Sequence, residues 1–98
     1  MNDSKLEEEI QEKGLTAARV TFDHINATIV GEDYYVFPGT TVTVCLLKLR
    51  NGFNVVDHSA CVSPANFDVE IGRKIARERA VNQIWALEGY ALAERIYG

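Results

Sequence analysis

The chain has 98 residues, 47% of them hydrophobic and only two of them proline, which is the size of one small domain and too apolar for disorder. A formal charge of −4 and a pI near 5.1 exclude the broad basic surface that duplex nucleic acid demands, although a small anion needs only a local cluster of cations. No apolar run approaches the ~18 residues of a membrane span, and the opening MNDSKLEEEIQEKG is acidic where a signal peptide is basic and then apolar. The expectation is therefore a soluble, intracellular protein with neither duplex nucleic acid nor a membrane as partner.

Residues 4–13 predict a short, acidic, peripheral helix: Ser4 and Glu7 have capping-box spacing, Leu6 and Ile10 share a face, and Gly14 stops the run. Thr21 is placed to cap a second helix whose Phe22, Ile25 and Ile29 lie on one side and whose Asp23, His24 and Asn26 lie on the other. Aromatic and β-branched residues then dominate. They predict strands over Tyr34 to Phe37, Thr41 to Leu49 and Phe53 to Val62, the last two joined at Asn51-Gly52, a dipeptide favoured in two-residue hairpin turns.

From about Phe67 to Ile96 the pattern is helical. Ile71, Ile75, Trp85, Leu92 and Ile96 hold the spacing, and Ile84 and Tyr90 widen the stripe. Gly89, which costs about 1 kcal/mol relative to alanine inside a helix, marks a kink or a close approach by another backbone. A helix of nearly thirty residues overhangs a three-stranded sheet, so its far end is expected to pack on another subunit, and self-association would add stability to so small a core. The fold class read from this order is α+β: one domain over residues 1–98, with an antiparallel sheet and hairpin, a long C-terminal helix and short N-terminal helices.

Catalytic and metal signatures are missing from the sequence. It holds no Gly-x-Ser-x-Gly elbow, phosphate-binding glycine loop or His-Glu-x-x-His run. Cys45 and Cys61 are too few and too widely spaced for a zinc pattern, His24 and His58 lack a partner motif, and both thiols fall in apolar strand patterns that suggest burial. No metal or other cofactor is expected. His58 beside Ser59 is the nearest approach to a hydrolytic pair, but neighbours in a strand point to opposite faces.

Arg73 and Arg77 stand out because they sit four apart near the start of the long helix, where they repel each other and oppose the helix dipole. A bound phosphate, held by bidentate charge-assisted hydrogen bonds, would reverse the sign of that arrangement. The competing reading is a solvated face on which Glu70 and Glu78 offset the arginines. Phe53 and Phe67 are candidates for a base-stacking platform and equally for ordinary core. Arg19, in a loop-like stretch, is either a third cation or a surface residue.

The blocks NGF, SACV, PxNF, EIGRKIA and IWxLEGYxL, with TAARVT and FPGTT upstream, resemble a family of small phage proteins over most of the chain from about Gly14. That family is similar to the type 1 Thoeris anti-defence proteins, phage sponges that bind cyclic ADP-ribose-type immune signals without cleaving them. The resemblance implies a non-enzymatic protein of the host cytoplasm whose principal ligand is glycocyclic ADP-ribose. It also implies a homo-oligomer, a dimer or a hexamer, the latter with a separate site for cyclic oligonucleotides. By the same resemblance Arg73 and Arg77 hold ligand phosphates, Phe53 stacks on the base, and Arg19 and Asn66 are further ligand contacts. The alternatives from other classes are a structural or host-protein interaction module, and a hydrolase of the same signals dependent on His58.

Overall fold

The run TVCLLKL forms the middle of the molecule because its alternate residues are apolar or small enough to be covered. Thr43, Cys45, Leu47 and Leu49 are buried while Lys48 is exposed, the period of two expected of a strand with one packed face. A computed structural model describes residues 3–13 and 18–98. Its elements are α1 (Asp3–Glu12), α2 (Phe22–Thr28), β1 (Ile29–Val36), β2 (Thr43–Leu49), β3 (Asn54–Ser59), a 3-10 turn (Pro64–Asn66) and α3 (Val69–Tyr97). The sheet is antiparallel with the order β1-β2-β3. The α+β class and the sequence of elements match expectation; the Ser4 side chain and Gly14 lie outside the described residues.

Boundaries moved where pairing outweighed local preference. β1 begins at Ile29, well before the expected Tyr34, and ends at Val36, because β2 offers partners along its whole length and Gly31, Glu32 and Asp33 pair there despite poor strand propensity. α2 consequently stops at Thr28; its predicted cap holds, with Thr21 Oγ1 accepting from His24 N at 3.1 Å. β2 starts two residues later than Thr41. β3 ends at Ser59, leaving Cys61 half-buried beyond the strand and Val62 fully exposed.

Asn51-Gly52 does not form the expected two-residue turn. Gly52 N donates to Leu49 O at 2.9 Å and Leu49 N to Phe53 O at 2.8 Å, and of the dipeptide Gly52 alone has positive φ, at 89°. A primed turn requires positive φ at both central residues, whereas a three-residue loop needs one glycine in the left-handed region. Asn51 Oδ1 instead accepts from Phe53 N at 3.0 Å.

α3 starts at an Asp68 cap, whose carboxylate accepts from Ile71 N at 3.0 Å. Its buried residues are Gly72, Ala76, Ala80, Val81 and Ile84. The expected stripe is corrected here: Ile71, Ile75 and Ile96 are 56, 40 and 45% exposed. Small residues face the sheet because the helix lies so close to it that a Cβ at Gly72 would stand 2.8 Å from Thr43 Oγ1. Ser59 Oγ donates to Gly72 O at 2.7 Å, Arg79 Nη1 to His58 O at 3.0 Å and Gln83 Nε2 to Val56 O at 2.6 Å. The Arg79 and Gln83 side chains of α3 thereby occupy carbonyls along β3, an edge strand that would otherwise present them to another chain.

The 29 residues of α3 span about 43 Å, whereas a seven-residue strand spans about 23 Å, so the second half of the helix does overhang the sheet. α2 meets that half on one side, where His24 Nε2 lies 2.8 Å from Glu88 Oε2 and Trp85 packs against the core. α3 continues unbroken through Gly89, and among the described residues nothing beyond the neighbouring turns of its own helix lies within 4 Å of where its Cβ would be.

Candidate functional site

Arg73 and Arg77 leave α3 one turn apart and reach towards β1. The strand's alternation places Glu32 and Tyr34 on one face, and that face is the one covered by the helix, since Tyr34 stands opposite the buried Cys45. Arg77 Nε donates to Glu32 Oε2 at 3.0 Å, and the Tyr34 hydroxyl donates to Glu32 Oε1 at 3.0 Å. The Arg73 guanidinium lies 5.4 Å from the centre of the Tyr34 ring, within cation–π range. The cluster is thus two cations, one carboxylate and one phenol.

Its electrostatics follow from these contacts. The Arg77 hydrogen bond holds the Glu32 carboxyl below the usual carboxylate range. Burial first, then the hydrogen bond to Glu32, pushes the Tyr34 phenol above its ordinary value. The Arg77 and Glu32 side chains are 37 and 40% exposed, so water screens their attraction and the pair is worth little. Among the described residues no carboxylate lies within ion-pair distance of Arg73, Glu70 included.

The other candidates lie elsewhere. Arg19 is bound by Glu7, with Nη1 donating to Oε1 at 2.8 Å and Nη2 to Oε2 at 2.5 Å, and borders a cavity of about 290 Å³ beside Trp85 and Phe22. Phe53 is 54% exposed on a groove of about 540 Å³ between β3 and the overhanging part of α3, with Leu87 and Tyr90. Asn66 borders a cavity of about 180 Å³ with Ser59, Cys61, Phe67, Ile71 and Ile75. Within one subunit, then, only Arg73 and Arg77 share an environment; Phe53 sits against β3 and the arginines against β1.

Ser59 is buried on Gly72 O while His58 is exposed with Nδ1 3.6 Å from Asp57 Oδ1, so these neighbours form no dyad, as strand geometry required. Burial raises the Cys45 thiol above its usual value, which disfavours the nucleophilic thiolate. Glu32 and Tyr34, the immediate partners of the arginines, were missed in the sequence reading. A signal existed: an acid and an aromatic two apart in a strand share a face.

A protein-family model described as the Phage protein (N4 Gp49/phage Sf6 gene 66) family matches residues 20–96, more than three quarters of the chain. No curated protein and no solved structure matches. Among the described residues no helix is long and apolar enough to cross a membrane.

Proposed function

The chain belongs to the N4 Gp49/phage Sf6 gene 66 family of phage proteins, and from that premise we propose that it is an anti-defence sponge. It binds a cyclic ADP-ribose-type signal, glycocyclic ADP-ribose first and cyclic oligonucleotides second, and holds it without cleaving it. Sequestration lowers the free signal and leaves the host's effector inactive. The observation that carries this reading is Arg73, whose guanidinium rests on the Tyr34 ring with no carboxylate partner among the described residues, one turn from Arg77. A phosphate bridging the two would take the place of Glu32 on Arg77, exchanging an exposed ion pair for bidentate hydrogen bonds. The Tyr34 ring already orients one guanidinium and so lowers the ordering cost of capture.

Calorimetry of the chain with glycocyclic ADP-ribose, its isomers and cyclic oligonucleotides tests the proposal, followed by heat release and mass measurement of the ligand. Tight binding with the ligand recovered unaltered is expected. Arg73→Ala and Arg77→Ala should each remove charged hydrogen bonds worth about 1.5–3 kcal/mol, a roughly ten- to hundredfold weaker Kd, with unchanged far-UV circular dichroism. Glu32→Gln should tighten binding, because it removes the internal competitor for Arg77. Absence of heat with every ligand sinks the reading, and an altered ligand mass turns it into hydrolysis.

A second reading, a structural or host-protein interaction module, is favoured by the exposed apolar groove along α3. A stoichiometric host protein bound in place of any nucleotide, with affinity unaffected by Arg73→Ala, would select it.

A further inference from the structure

Tyr34 touches both arginines of the cluster between β1 and α3, one directly and the other through Glu32. Its place is fixed by the sheet: β1 holds Glu32 and Tyr34 in register with Leu47 and Cys45 of β2, both of them fully buried. The Tyr34 ring lies against Arg73, whose guanidinium carbon is 5.4 Å from its centre. The hydroxyl donates to Glu32 Oε1 at 3.0 Å, while the other carboxylate oxygen, Oε2, accepts from Arg77 Nε at 3.0 Å. One side chain therefore acts on the two cations in opposite senses. A ring face attracts a cation without neutralising its charge, which leaves Arg73 ordered and still able to donate. A carboxylate neutralises, and a hydroxyl that donates to it fixes its orientation on Arg77.

We propose that Tyr34 is a positioning residue that sets how available the arginine pair is to an anion: its ring holds Arg73 ready, and its hydroxyl latches Glu32 onto Arg77. The consequence is selectivity. Glu32 is tethered by the fold and confronts Arg77 at an effective concentration on the order of millimolar. A free carboxylate, which offers the same group with the same charge, gains nothing by replacing it. A phosphoryl group brings more charge and a further acceptor oxygen, engages guanidinium planes bidentately, and displaces it. The latch thus turns small carboxylates away from a site that stays open to phosphoryl anions. It belongs to the free chain; only the selectivity rests on the capture of an anion proposed for this site.

NMR and calorimetry of the full chain separate the two steps. In the free chain the Arg77 Nε proton should exchange with water several-fold faster in Tyr34→Phe than in the parent, and Tyr34→Phe should add nothing once Glu32→Ala has removed the carboxylate. Inorganic pyrophosphate should bind Tyr34→Phe about two- to tenfold more tightly than the parent, the worth of one hydrogen bond. It should bind Tyr34→Leu about two- to fivefold more weakly than Tyr34→Phe, the worth of the ring beside Arg73. Acetate should leave the Arg77 signal of the parent unmoved and shift it in Glu32→Ala. Far-UV circular dichroism should be the same for Tyr34→Phe and the parent. An Arg77 proton indifferent to Tyr34→Phe, an effect of Tyr34→Phe that persists without Glu32, or acetate acting equally on the parent and Glu32→Ala overturns the latch. Silence of pyrophosphate beside a responsive Arg77 proton removes the capture reading and leaves the latch standing.

Discussion

Glu7 and Arg19 lie twelve positions apart and meet through two hydrogen bonds that tie α1 to the segment before α2. Arg19 first, and Gln11 second, hold the Glu7 carboxyl down to about 2 from an ordinary 4.5. A carboxyl with a depressed folded-state pKa stabilises in full above its unfolded value and loses that contribution as pH falls through its folded one. The α1 attachment should therefore be unchanged at neutral pH and weaken only as pH drops from about 4.5 towards 2. Carboxyl-carbon NMR should place the Glu7 midpoint near 2 in the native chain and move it up towards the ordinary range in Arg19→Ala; a midpoint indifferent to that substitution would refute the pairing. Nothing in local spacing announces this contact. Arg19 read as a spare cation because its partner lies twelve positions away, on α1.

The seam between α3 and the sheet explains why the helix's largest residues are not its core. Gly72, Ala76 and Ala80 let the backbone settle onto β2 and β3, and of the isoleucines that the period nominated Ile84 is buried while Ile71, Ile75 and Ile96 sit at the margin. Replacing Gly72 by alanine would drive a methyl against Thr43 Oγ1, and overpacking of this kind costs about 1–3 kcal/mol. Urea denaturation should show a lower midpoint with an unchanged slope for Gly72→Ala. Ile84→Ala, at a fully buried position, should cost about 2–5 kcal/mol, and Ile75→Ala distinctly less. The reverse order of the two isoleucines would place the Ile75 side of the helix, not the Ile84 side, against the sheet. The hairpin carries the same lesson: NG was rightly read as a turn, but the choice between two and three loop residues lay in how β2 and β3 register.

Stability is unevenly shared across the molecule. β2 has partners on both sides and α3 over it, whereas α1 reaches the rest through α2 and the Glu7–Arg19 pair. Amide exchange should accordingly be slowest around Cys45, Leu47 and the stretch from Ala80 to Ile84, and fastest in α1. Equal protection of α1 and β2 would mean that the first helix is integral to the core. The net charge of −4 is likewise divided, with an acidic α1 and cations gathered on the first part of α3, which makes that stretch a locally basic surface on an acidic protein.

Composition and periodicity were enough to establish the α+β class, the order of elements, the Thr21 cap and the length of α3, because these depend on residues close in the chain. The arginine pair was also visible, since two positions one helical turn apart need no folding to be recognised. What stood across from them was settled by topology: β1 brought Glu32 and Tyr34 beneath the arginines, while Phe53, Asn66 and Arg19 went to separate places. Which face of α3 is buried was settled in the same way. Contacts between distant segments depend on how closely a helix can approach a sheet, a distance that hydrophobic spacing along one strand of sequence does not encode.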